Sequence, residues 1–171
     1  KRDVVRVITP GTVIDESMVT SQEARYLMAL AHNEKGRFVG MAFLDISTGE
    51  FFVSQSGGER ARENVLSELA RYRPCECVIS ENAPAAVSAC LEANGVLVSR
   101  YGADIFDTGP AENELLTQFG VSTLEGYGIS QYPAAVRAAG AVLRYALETQ
   151  KASLSHITGI SVKRLEEALV I

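Results

Sequence analysis

The 171-residue chain has no tryptophan, only two histidines, and no apolar run near the roughly 18 residues that a membrane-spanning helix needs. No basic n-region precedes an apolar stretch at its start, so no signal peptide is visible. The three cysteines, Cys75, Cys77 and Cys90, fit no zinc spacing, because His32 and His156 are far away along the chain. An odd count without a disulfide pattern points to reduced thiols packed in the core and to a reducing, cytoplasmic compartment. Basic excess is missing too. Sixteen Lys and Arg stand against 21 Asp and Glu, a formal net charge of −5, whereas a module that binds DNA in its own right carries a basic face. The nearest candidate, Arg60, Arg62, Arg71 and Arg73, is interspersed with Glu59, Glu63 and Glu68 and reads as a solvated helix face.

Motifs for several chemistries are also missing. There is no Gly-x-x-x-x-Gly-Lys-(Ser/Thr), no Gly-x-Ser-x-Gly and no His-Glu-x-x-His, which removes the phosphate-loop ATPase, nucleophile-elbow and zincin classes for this chain. Asp45 is the one carboxylate placed for chemistry. It ends a predicted central strand, and Asp45-Ile46-Ser47-Thr48-Gly49 is similar to the phosphate turn of actin-like ATPases. A ribonuclease-H-like nuclease would need further carboxylates converging on divalent metal ions. The predicted strands 24–32, 77–79 and 96–98 carry none, and Glu63 and Glu68 read as solvent-facing. Asp45 is therefore expected to bond the backbone of its own turn. A metal-dependent nuclease or actin-like nucleotide-binding domain using Asp45 is the alternative reading.

What is present is clear periodicity. Residues 24–32 and 38–46 are apolar runs separated by the turn-forming Asn33-Glu34-Lys35-Gly36. In the second run Phe38, Ala42, Leu44 and Ile46 alternate with Val39, Met41 and Phe43, so both faces are apolar and the strand is central. Ser47-Thr48-Gly49 turns the chain into Phe51-Phe52-Val53, completing an antiparallel three-strand meander. Helical spacing follows over 59–73, with Val65, Leu66, Leu69 and Tyr72 on one stripe and Pro74 as the stop. Cys77-Val78-Ile79 is a strand, Pro84 to Gly95 a helix, Val96-Leu97-Val98 a strand, and Pro110 and Gly120 bracket a short helix over 111–119. A longer helix spans 133–150, with Val136, Ala139, Gly140, Leu143 and Leu147 on its buried face. Gly140 lowers helix propensity by about 1 kcal/mol, a cost usually offset by close packing. The order predicts an α/β fold: a ribonuclease-H-like mixed sheet, meander then αβαβ, with helices on both faces and a long C-terminal helix.

The opening, Lys1-Arg2-Asp3-Val4-Val5-Arg6-Val7-Ile8-Thr9-Pro10-Gly11-Thr12, reads as a strand broken by a sharp turn. A strand needs neighbours, and nothing precedes this one, so the chain is expected to be a piece of something larger. These residues resemble the Arg-(Glu/Asp)-Val-Val-Arg-(Ile/Val)-(Ile/Val)-Thr-Pro-Gly-Thr signature that closes the first domain of the MutS family of DNA mismatch-repair proteins. Leu44-Asp45-Ile46-Ser47-Thr48-Gly49-Glu50-Phe51, Gln118-Phe119-Gly120, Gly126-Tyr127-Gly128, Ala138 to Ala146, and Leu154-Ser155-His156-Ile157 before Leu169-Val170-Ile171 follow in the family's order. The resemblance implies residues 1–14 from the end of the mismatch-reading domain, a connector domain over 15–157, and the start of the core/lever domain at 158–171. It implies a ribonuclease-H-like fold and a non-catalytic role between the mismatch-binding and ATPase parts, with recruitment of a MutL-type partner. ATP and Mg²⁺ would belong to the parent protein, a dimer that meets mismatched DNA through other domains. This fragment would hold no cofactor or metal. In that role Pro10, Gly11, Gly126 and Gly128 read as hinge positions. The polar ridge of Glu112, Asn113, Glu114 and Gln118, opposite Leu115, Leu116 and Phe119, reads as a contact surface, with ordinary solvation as its rival.

Overall fold

Three hydrophobic strands set the frame. β1 (Leu27–His32), β2 (Phe38–Asp45) and β3 (Glu50–Gly57) form an antiparallel meander, with Leu27 opposite Leu44 and Asp45 opposite Glu50. The structure is a computed structural model that describes residues 25–32, 38–150 and 154–163. The predicted turns at Pro10-Gly11 and at 33–36, and the Leu169-Val170-Ile171 match, lie outside these residues. β4 (Glu76–Ser80) runs parallel to β1, β5 (Leu97–Tyr101) parallel to β4, and the short β6 (Ser161–Val162) parallel to β3. The sheet order is β5-β4-β1-β2-β3-β6, the ribonuclease-H-like arrangement with one added strand at the β3 edge.

Strand alternation sorts the core into two layers. Leu27, Ala29, Ala42, Leu44, Phe51, Val53 and Val78 face α3 (Thr108–Phe119) and α4 (Pro133–Gln150). Met28, Leu30, Met41, Phe43, Phe52, Cys77 and Ile79 face α1 (Ala61–Tyr72) and α2 (Ala85–Ala93). Helices thus cover both faces, as a β2 strand apolar on both sides requires. Ile46 is half-buried on the α4 side, whereas Phe38 is 44% exposed rather than buried with Ala42 and Leu44. Its ring lies over Gly57, where any Cβ would collide with it.

The helix boundaries follow local chemistry. α1 stops at Arg73, which takes a left-handed φ of 48° because Pro74 disfavours continued helix in the residue before it. α3 begins two residues before the expected Pro110. That proline lies in the first turn, where its missing N–H is harmless. α4 spans the predicted 133–150, and the Gln55 side chain caps its start, accepting from Ala134 N and Ala135 N at 2.9 and 3.0 Å. Gly40 of β2 lies directly under this helix start; a Cβ there would strike the Ala134 backbone.

Two charged residues are not where the sequence pattern put them. Glu68 is buried on α1 with Val65 and Leu69, not solvent-facing like Glu63. The strand read as 77–79 begins one residue earlier, at the fully buried Glu76. Its carboxylate accepts from Ser99 Oγ at 2.5 Å and from Tyr145 OH at 2.6 Å, and such bonds offset the cost of burying charge. Beyond α4, Leu154, Ile157 and Ile160 are buried against the α4-side core, and β6 joins the sheet within the stretch that the sequence reading assigned to the following domain.

Candidate functional site

The face built by α3 and α4 carries the residues singled out as a contact ridge. α3 packs its Ala111 and Leu115 inward and ends at Gly120 in the left-handed conformation, φ 67°. At the crossing, Gly140 lies so close to Ala111 that a Cβ would stand 2.5 Å from the Ala111 Cβ and 2.7 Å from its carbonyl oxygen. That contact answers the helix-propensity cost of a glycine in mid-helix.

The four ridge residues divide into three situations. Glu112 and Asn113 are exposed. Glu114 is only 18% exposed in its side chain; its Oε1 accepts from Arg144 Nη1 at 3.0 Å. Arg144 also donates from Nε to Glu148 Oε2 at 2.7 Å, so one cation joins two carboxylates across α3 and α4. Gln118 is half-buried, and its Nε2 donates to Leu154 O and Ile157 O at 2.9 and 3.0 Å. A cavity of about 370 Å³ lies beside the ridge, lined by Asp104, Pro110, Asn113, Glu114, Gly140 and Arg144. Periodicity alone missed Arg144, although its i,i+4 spacing to Glu148 is legible in the sequence.

Gly126 lies within a 3₁₀ turn over Glu125–Tyr127 and Gly128 ends it, at φ 76°. Between them, the Tyr127 ring packs on Phe119 at 4.9 Å. On the opposite face of the sheet a groove of about 340 Å³ runs between α1 and α2, lined by Leu30, Val39, Val65, Val87, Cys90 and Leu91, with His32 at its margin. Burial first, and the nearby Arg137 charge second, hold the His32 pKa below its ordinary value.

Asp45, the candidate for chemistry, is buried at the end of β2. Its Oδ1 accepts from Ser47 N at 3.0 Å and from Ser47 Oγ at 2.6 Å, so the side chain bonds its own turn. Across the hairpin, Glu50 accepts from Tyr26 OH at 2.8 Å. Burial, and then this carboxylate, raise the Tyr26 pKa well above the usual phenol range. Among the described residues, no three His, Cys, Asp or Glu side chains are grouped so that they could hold a metal ion. No described helix is long and apolar enough to cross a membrane.

Fold and surface together define a ribonuclease-H-like α/β module whose polar face is built by two crossing helices. Residues 25–158 match MutS domain II, and the chain belongs to that family. The DNA mismatch repair protein MutS of Methanococcoides burtonii is 40% identical over the whole chain, which covers 19% of that protein. The proteins of the same name from Methanosarcina acetivorans and Roseiflexus castenholzii are 39% and 33% identical over the whole chain, covering 20% and 19% of their lengths. The chain thus spans about a fifth of the length of these relatives. It is a MutS domain II unit of the mismatch-repair MutS type, the connector domain that the sequence resemblance implied.

Proposed function

We propose that this module is a non-catalytic connector, linking the mismatch-binding and ATPase/lever parts of a mismatch-recognition ATPase and recruiting a MutL-type partner. The parent protein would work as a cytoplasmic dimer, holding ATP, Mg²⁺ and mismatched DNA through its other parts. The observation that carries the reading is the MutS domain II match over nearly all of the described body, in which α3 turns Glu112 and Asn113 outward. Charge supports it: at −5 the chain suits contact with protein better than with phosphate backbone. Against the Asp45 nuclease or nucleotide-binding alternative, Asp45 Oδ1 bonds Ser47 while Oδ2 is buried without a partner, Glu76 bonds Ser99 and Tyr145, and no metal-holding group of carboxylates is formed among the described residues.

The test is MutL binding by the full-length parent protein with ATP, after Glu112, Asn113 and Glu114 are replaced together by alanine. Gln118 is kept, because its amide is used inside the domain. Loss of MutL binding with mismatch binding and ATPase activity intact supports recruitment through α3. Unchanged binding removes this surface and favours a rigid spacer.

A further inference from the structure

Residues 154–163 are held to the body at several points, and one residue on α3 supplies the fastening nearest the proposed partner surface. Ile157 N donates to Leu154 O at 2.9 Å, closing a turn whose Leu154 and Ile157 side chains are buried. The Leu154 and Ile157 carbonyls of that turn both accept from Gln118 Nε2. A primary amide nitrogen carries two hydrogens, and here each has an acceptor. The opposite amide orientation would set Oε1 against two carbonyl oxygens, so the network fixes the assignment. Within the same turn, the His156 ring bonds Ile46 O at the β2–β3 hairpin. Ser161–Val162 pairs with Phe52 and Val53, and Lys163 N donates to Val53 O at 2.8 Å. Lys163 Nζ stands 5.3 Å from the centre of the Phe52 ring. Phe52 belongs to the α1–α2 side of the sheet and Ile157 to the α4 side, so the strap wraps the β3 edge from one layer to the other.

We infer that Gln118 is a clasp that fastens residues 154–163 onto α3, so that strap and helix end open as one unit. A displacement of the chain leaving the domain would then reach the helix that carries Glu112 and Asn113. Gln118 is a positioning residue in this scheme, and the inference stands whether or not α3 is the MutL surface.

Hydrogen exchange on the 171-residue chain tests it. Gln118→Glu keeps the shape and removes both donors, while Gln118→Ala removes the side chain. In both, the Ile157 and Lys163 amides should exchange about tenfold faster, since a net hydrogen bond is worth a several-fold factor in a local opening. The β1 and β2 amides should be unchanged. His156→Ala releases the clasped turn from Ile46 O, and with Gln118 intact it should speed Ile157 together with the Gly120 and Val121 amides at the end of α3. Unchanged strap exchange in Gln118→Glu overturns the clasp, as does acceleration spread equally to β1 and β2. Faster strap exchange in His156→Ala with Gly120 and Val121 unmoved shows that the strap opens without α3, which also overturns it.

Discussion

Gly140→Ala perturbs the close crossing of α3 and α4 and sets two opposing effects against each other. In mid-helix the change gains about 1 kcal/mol of helix propensity. The new methyl would lie 2.5 Å from the Ala111 Cβ and 2.7 Å from the Ala111 carbonyl oxygen. Carbon atoms rest at about 3.5–4.0 Å, so the obstruction is backbone and Cβ rather than a side-chain tip that can swing aside. Separating α3 from α4 costs about 1–3 kcal/mol, as overpacking generally does. The net expectation is a loss of about 1 kcal/mol, seen as a fall in Tm of about 2–4 °C for a domain of this size, followed by far-UV circular dichroism during thermal and urea unfolding. Ala111→Gly in the same chain removes one of the obstructing atoms and should recover part of the loss, giving a coupling of at least about 0.5 kcal/mol. If Gly140→Ala instead stabilises by the full propensity term, the helices do not approach as described and the packing argument fails.

Tyr145→Phe removes a hydroxyl donor from the buried Glu76 carboxylate. Bonds to charged groups are worth about 1.5–3 kcal/mol, so the urea midpoint should fall by about 2 kcal/mol equivalent, and an unmoved midpoint would contradict that network. His32 has a pKa below its ordinary 6.5 in the folded state, so the unfolded chain binds the extra proton first. Its contribution is present above pH 6.5 and declines as pH falls from there toward the lowered folded value; His32→Gln should flatten that part of the stability profile, and an identical profile would refute the assignment. Burial pushes the Cys77 thiol far above the usual range, and Cys77 is wholly enclosed while Cys90 is half-buried. A thiol reagent at neutral pH should therefore modify Cys90 in the native chain and Cys77 only on unfolding. Native labelling of Cys77 would show that β4 is accessible.

Alternation and capping residues carried most of the fold. The two-sided apolar pattern of β2 placed it centrally, and the 133–150 periodicity together with Gly140 located both the long helix and its close contact. Carboxylates were harder to place. Glu68 and Glu76 are buried, yet helix and strand periodicity sort residues by polarity, and the hydroxyls that satisfy Glu76 come from Ser99 and Tyr145, far away in sequence. The ridge on α3 was legible as a polar stripe. Its division among outward Glu112 and Asn113, Arg144-paired Glu114 and strap-bound Gln118 depends on α4 and residues 154–157, which no local pattern connects to α3.

Titrating a MutL-type protein against the 171-residue chain itself, free of the parent protein's ATPase and DNA-binding parts, asks whether the connector alone recruits that partner. The expected result is saturable binding that is abolished when Glu112 and Asn113 are both replaced by lysine, with thermal stability unchanged. Absence of binding to the chain, under conditions in which the full-length parent binds MutL with ATP, would contradict it.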